Sequence, residues 1–312
     1  MTTVSRRVVL AAPVAATLVA PLDPAAAATP FYVGGTYGSS TTSPAPWETR
    51  IGQQLGIRRT FWRADQVGTA VTQVRSDIAA GRRCSEISFK GPASWAQMAR
   101  GVGDAWMRDI RSRLAALLAG NGHVVKLILH HEPENDTGTN VGTSDRGRDQ
   151  WMRWQDRAAD IFAGVARLEF GLCLMGYYCF YGNQGSRWHL DNCVPDNPRI
   201  QFVSFDIYQK YGTHGSTSWT DFEGSYFSKI GPWCAAHGKA WGLSEFGITQ
   251  RAFDRRPTWF TDTRSAMLRH GGSWMDYFNT TLNNTDPANP WGFTPGDSRD
   301  VAYAGLVSTG NL

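Results

Sequence analysis

A single (β/α)8 barrel is the fold class that this sequence predicts, on three observations. Eight short apolar runs recur along residues 31–312, longer helical segments separate most of them, and no low-complexity linker, internal repeat or charge block divides the chain. The runs are Phe31 to Gly35, Arg59 to Trp62, Glu86 to Phe89, Val124 to Leu129, Gly171 to Tyr177, Gln201 to Ile207, Ala240 to Ser244 and Gly272 to Tyr277. Helices are expected over Trp47 to Leu55, Ala70 to Ala80, Trp95 to Ala119, Gln150 to Ala166, Asp221 to His237 and Trp259 to Arg269. In the third of these, Trp106, Ile110, Leu114 and Leu118 form one apolar face at four-residue spacing. A doubly wound open sheet is the alternative, but no Gly-x-Gly-x-x-Gly follows the first run.

The first 28 residues stand apart. Ser5-Arg6-Arg7 leads into an apolar stretch from Val8 to Ala20, then Pro21 and the tract Ala25 to Ala28, in the order of a cleavable export signal resembling the twin-arginine type. That stretch is too short for a membrane span, which takes roughly 20 residues. The expectation is a leader at 1–28, one catalytic domain at 29–312, and a secreted, monomeric mature protein with no membrane partner. With 31 basic and 27 acidic residues and no basic runs, the charge pattern offers no footprint for nucleic acid. Thirteen tryptophans in 312 residues are enough for both an aromatic core and flat platforms for sugars.

Five cysteines, Cys84, Cys173, Cys179, Cys193 and Cys234, include no Cys-x-x-Cys pair, and no matched histidine spacing accompanies them, so neither zinc nor another cofactor is called for. Export permits one or two disulfides, Cys179 with Cys193 being the first candidate.

In a (β/α)8 barrel the chemistry sits where strands end. The fourth run ends in His130-His131-Glu132-Pro133-Glu134 and the seventh in Ser244-Glu245-Phe246-Gly247. Each Glu terminates a strongly apolar run, where a charge needs a reason. Two carboxyl groups across one mouth perform glycoside hydrolysis, one protonating the leaving oxygen while the other attacks the anomeric carbon or activates water. His131-Glu132 is not a zincin motif, since Asn135 replaces the second histidine and Pro133 opposes the helix. Gly242 to Phe246 does not match Gly-x-Ser-x-Gly, which argues against Ser244 as a nucleophile. A non-catalytic sugar-binding barrel is the reading from a different class.

His131-Glu132-Pro133 and Ser244-Glu245-Phe246-Gly247 resemble the acid/base and nucleophile motifs of clan A glycoside hydrolases, and the histidine before the acid/base most resembles family 26, in which β-mannanases predominate. The resemblance implies a retaining hydrolase of a β-linked polysaccharide, an endo-β-mannanase or related β-glycanase. It implies Glu132 as acid/base and Glu245 as nucleophile, their carboxyl groups about 5–5.5 Å apart. It further implies His131 as a neighbour contacting substrate or nucleophile, Tyr208 as hydrogen-bond partner of the nucleophile, and Trp274 as sugar platform. Arg63 and Lys90, also at strand ends, are expected to bind substrate hydroxyls. The chain departs from the family at Glu134, where mannanases carry Asn, and in the loop 137–143, which lacks aromatic residues. Burial and the neighbouring charge are expected to raise the acid above the nucleophile, giving a bell-shaped rate profile in the acid to neutral range.

Overall fold

The structure, a computed structural model, describes residues 30–182, 186–281 and 286–310; the expected export leader lies outside them. Eight parallel strands close into one barrel in sequence order. They are β1 (Tyr32–Tyr37), β2 (Ile57–Trp62), β3 (Cys84–Phe89), β4 (Val124–Leu129), β5 (Leu168–Met175), β6 (Phe202–Tyr208), β7 (Ala240–Gly247) and β8 (Gly272–Asn279). Closure runs through β1 and β8, paired from Tyr32 with Trp274 to Tyr37 with Asn279. All eight expected strands are present, most with ends shifted by one to three residues.

The helices pack outside. They are α1 (Ala45–Ile51), α2 (Val67–Ala79), α3 (Trp95–Ala99), α4 (Asp104–Leu118), α5 (Asp145–Phe162), α6 (Gly176–Phe180), α7 (Leu190–Cys193), α8 (Ser228–Ala236), α9 (Gln250–Arg255), α10 (Trp259–Arg269) and α11 (Ser298–Gly310). The single helix expected over 95–119 is two, because Gly101 takes a left-handed φ of 93° that ends the first of them. Met107, Ile110, Leu114 and Leu118 of α4 are the positions it buries. The expected helix over 221–237 begins as a π turn, Glu223–Phe227, before α8. Among the described residues no helix is long and apolar enough to cross a membrane.

Outward-facing strand residues such as Leu127, Leu172 and Leu243 join the inner faces of the helices in one large core. A second apolar cluster fills the lower barrel, formed by Ile57, Cys84, Ile128, Cys173, Phe202 and Trp274. Trp274 is therefore not the platform the sequence suggested. It is fully buried, donates its indole N–H to Glu86 Oε2 at 3.0 Å, and lies under Lys126 Nζ at 3.9 Å from the ring centroid. Strand alternation at β8 explains this: Trp274 points inward four residues below the rim, and Phe278 takes the inward position at the mouth.

All five cysteines are buried free thiols, which corrects the expected Cys179–Cys193 bridge. Cys193 donates its thiol to the Trp188 carbonyl at 3.2 Å. Burial holds both thiols well above the usual range, so neither presents the thiolate that disulfide exchange requires.

Trp274→Ala should lower unfolding stability by about 3–5 kcal/mol, the cost of emptying a large buried aromatic site. Urea denaturation checks this, and an undiminished midpoint with weakened sugar binding would return Trp274 to the role of platform.

Candidate active site

The barrel interior above Trp274 is polar, which is unusual for a closed core and points to what it supports. Arg59 of β2 is fully buried and pairs with Glu86 of β3 at 3.5 Å. Glu86 also accepts from the Ser244 hydroxyl, and Ser244 meets Ser204 at 2.5 Å. Cys173 donates its thiol to both oxygens of Asp206, at 3.2 and 3.3 Å. This network rises toward the C-terminal ends of the strands and finishes in three carboxyl groups, Glu132, Asp206 and Glu245, each with an oxygen within 4.8 Å of the others.

Two backbone irregularities aim these groups. Glu132 follows β4 with φ 51° and ψ 52°, and His130 has φ 58°; both are left-handed conformations that cost a non-glycine residue about 1–3 kcal/mol each. The irregular backbone sends adjacent histidines to different places. His130 turns outward to bond Asp136 at 2.8 Å and meet Trp95 edge-on, while His131 faces the mouth, its Nδ1 at 2.9 Å from Ser88 Oγ. The second irregularity lies in β7. Phe205 pairs with Leu243 but Asp206 pairs with Glu245, leaving Ser244 as the extra residue of a bulge. Without it Glu245 would face the helices. With it Ser244 and Glu245 both serve the interior, and Phe246 returns to the outer core.

A cavity of about 780 Å³ opens over these groups at the strand ends. Glu132, Glu245, His131, Tyr208 and Lys90 all line it, so five of the seven residues expected from the sequence meet there. Tyr208 donates its hydroxyl to Glu245 Oε2 at 2.6 Å. The exceptions are Trp274, buried below, and Arg63, whose exposed side chain pairs with Asp65 at 3.3 Å. Depth separates the roles: Arg59, three positions before the end of β2, points into the barrel, whereas Arg63 lies beyond the strand in solvent. Glu134 is also excluded from the mouth, being buried with Oε1 accepting the Met175 backbone N–H at 3.0 Å. Phe61, Trp62, Phe278 and Trp291 supply aromatic walls, and Ser39, Ser40 and Thr41 hydroxyls. Trp291 is held by its backbone: its carbonyl accepts from Tyr277 Oη at 2.8 Å, and its ring lies 4.9 Å from that of Tyr208. Asp206 is the main group that motif reading undervalued. Its place two residues before Tyr208 on one strand face is the signal that marks it.

Burial raises all three carboxyl groups. Glu245 is pushed up to about 8 by burial and by the charge of Glu132, against the opposing influences of Arg59 and the Tyr208 hydroxyl. Burial also raises Glu132, while a hydrogen bond with Asp206 and the charges of Arg59 and Lys90 pull it down. Asp206 is held well above the carboxylate range by burial, then by Glu245 and Glu132. The nucleophile is thus raised along with the acid, where burial and the neighbouring charge were expected to raise the acid above it. Protons belong to the cluster, and Arg59 is the cation beneath it. Burial, followed by Arg59, keeps His131 well below its ordinary value, hence neutral. The same three oxygens stand close enough to share a divalent cation, and the burial that raises all three opposes such ligation, which takes their ionised forms.

Carbon-13 NMR of labelled glutamate should give Glu245 a midpoint near 8, displaced downward in Glu132→Gln, where the neighbouring charge is gone. A Glu245 midpoint in the ordinary carboxylate range, unmoved by that substitution, would contradict the close cluster.

No family model matches the chain, and no curated protein does. Solved structures share its fold. The catalytic domain of a Bacillus sp. JAMB-750 GH26 endo-β-1,4-mannanase superposes with a TM-score of 0.60 at 12% identity, covering 90% of this chain and 86% of that one. GH26C from a Muricauda species gives 0.60 at 12% identity with the same coverage. A GH5-4 broad-specificity endoglucanase from Clostridium acetobutylicum gives 0.62 at 13%, covering 89% and 97%. The chain therefore has the (β/α)8 architecture of these clan A glycoside hydrolases.

Proposed function

We propose that the protein is a secreted retaining glycoside hydrolase acting within a β-linked polysaccharide, with β-mannan and β-glucan backbones as the first candidates. The observation that carries this reading is the approach of Glu132 and Glu245 to within 4.8 Å, oxygen to oxygen, at the mouth of the barrel. Retaining enzymes place their carboxyl groups about 5–5.5 Å apart, whereas inverting enzymes leave about 6.5–9.5 Å for a water. The fold shared with GH26 and GH5 enzymes, and an open cavity walled by Trp291, Trp62 and Phe278, accord with a polymer lying across the strand ends.

In this mechanism Glu245 attacks the anomeric carbon as Glu132 gives its proton to the departing oxygen; Glu132 then removes a proton from the water that releases the sugar. The Tyr208 hydroxyl fixes the orientation of Glu245 through Oε2 and leaves Oε1 for attack. Neutral His131 adds a polar edge beside the acid without competing for its proton. Since Glu245 must be ionised and its value stands at about 8, the rising limb of kcat/KM should lie in the neutral to alkaline range, above the acid range that two ordinary carboxyl groups imply.

Glu245→Ala should abolish turnover of natural substrates. Glu132→Ala should lose most activity on polysaccharide, by about 100-fold or more, and retain it on an activated aryl glycoside whose leaving group needs little protonation. Azide should rescue both variants with products of opposite anomeric configuration, which NMR of the glycosyl azides distinguishes. Retention of polymer by the wild-type protein without release of reducing ends would instead favour a sugar-binding barrel.

A further inference from the structure

The charged groups around the cavity are unevenly distributed. Among the described residues no carboxylate lines it apart from Glu132 and Glu245, whereas two ammonium groups do, Lys90 and Lys210. The positive charge continues beyond the rim. Lys210 is followed by Tyr211, whose ring lies 4.8 Å from the Arg255 guanidinium carbon and 5.6 Å from that of Arg251. Gly212 brings the backbone against the Arg251 side chain, and Thr213 returns to the cavity wall. Lys210, Arg251 and Arg255 thus form a strip from the mouth over the β6 and β7 loops, and Lys90 stands across the cavity at the end of β3.

Among the described residues none of these four makes an ion pair with a carboxylate, whereas other exposed arginines such as Arg108, Arg113, Arg199, Arg256 and Arg269 do. Lys210 Nζ instead lies 4.3 Å over the exposed ring of Tyr177, and the two arginines engage Tyr211. Nearby carboxylates are directed elsewhere: Asp254 accepts from Gln250 at 2.5 Å, and Asp286 from the His214 backbone at 2.7 Å. Three cations over neutral aromatic rings and a fourth on the cavity wall, beside a cleft whose lining carboxyl groups among the described residues are the reacting pair, form a surface complementary to an anion. A neutral glycan would use hydroxyl, amide and carboxylate partners and has no need of unpaired cations.

We propose that this strip binds sugars bearing carboxylate or sulfate groups, so that the substrate of the active site is an anionic β-glycan. The proposal rests on the glycosidase reading of Glu132 and Glu245. Charged substituents on residues flanking the cleaved bond lie along Lys210 and the arginines, and Tyr177 and Tyr211 offer ring faces to the sugars between them.

Calorimetric titration of the Glu245→Gln protein with β-1,4-glucan and β-1,4-mannan oligosaccharides tests this, each backbone being supplied neutral, oxidised to the carboxylate at C6, or 6-O-sulfated. At low salt one charged form should bind at least about tenfold more tightly than its neutral parent, an advantage that shrinks as salt screens the strip. Lys210→Gln with Arg251→Gln and Arg255→Gln should reduce the ratio of charged to neutral affinity. Lys229→Gln, remote from the cavity, should leave that ratio in place. The preferred form identifies carboxylate or sulfate. Equal or tighter binding of the neutral oligosaccharides, no binding of any form, or a preference unchanged in the triple variant would overturn the proposal. Wild-type turnover of the same set separates the two readings. Cleavage of neutral oligosaccharides without charge preference removes the strip and keeps the catalytic pair; charge-selective binding without cleavage of any form removes the pair and keeps the strip.

Discussion

The pairing of Arg59 with Glu86 inside the barrel is the interaction on which the active site rests. A guanidinium wholly out of water is costly unless surrounded by negative charge, and here burial is opposed by Glu86, Cys173, Asp206 and Glu245 together, which hold Arg59 protonated. In return its field lowers Glu132, Asp206 and Glu245 against a burial that raises all three. Three carboxyl groups within 4.8 Å are tolerable above such a cation; over an apolar barrel floor they would all hold protons. The polar layer below, with Ser204, Ser244 and the indole of Trp274 directed at one another or at Glu86, keeps this pair in one geometry.

Orientation is supplied by departures from regular structure. The left-handed residues after β4 separate His130 from His131, and the bulge at Ser244 turns Glu245 inward. Each departure carries a local cost that the surrounding sheet offsets: His130 N–H still bonds the Phe89 carbonyl at 2.7 Å, and Glu132 N–H the Cys173 carbonyl at 3.1 Å. A carboxyl group placed by hydrogen-bonded backbone moves little, which suits a reaction between atoms held at near-contact distance.

The far wall of the cleft depends on the end of the chain. Buried Arg299 of α11 donates to the carbonyls of Ile248 at 2.7 Å and Pro290 at 3.0 Å, tying the segment that carries Trp291 to the loop after β7. Tyr303 of the same helix bonds the Gly34 carbonyl of β1, where a side chain would strike the Ile57 carbonyl of β2. Strand closure, the last helix and the aromatic wall are thereby one construction. The cationic strip over the β6 and β7 loops adjoins this aromatic wall, whose Trp291 packs on Tyr208 of β6.

Much of this was legible from sequence because it is local. Eight apolar runs separated by helical periodicity determine a (β/α)8 barrel, and a glutamate at the end of such a run, as at Glu132 and Glu245, has few structural uses. Strand-end position also brought out Lys90, and the family resemblance His131 and Tyr208. What tertiary structure decided is direction and depth. Trp274 and Arg63 have the right residue types near the right strands, yet one lies below the mouth and the other beyond it, because height along the barrel axis decides which side chains reach the cavity. Cys179 and Cys193 are close in sequence, yet both stand in the core as free thiols. The roles of Arg59, Asp206 and Trp291 arise from contacts between strands far apart in the chain. The field of one buried cation on three carboxyl groups depends on distances that only the closed barrel sets.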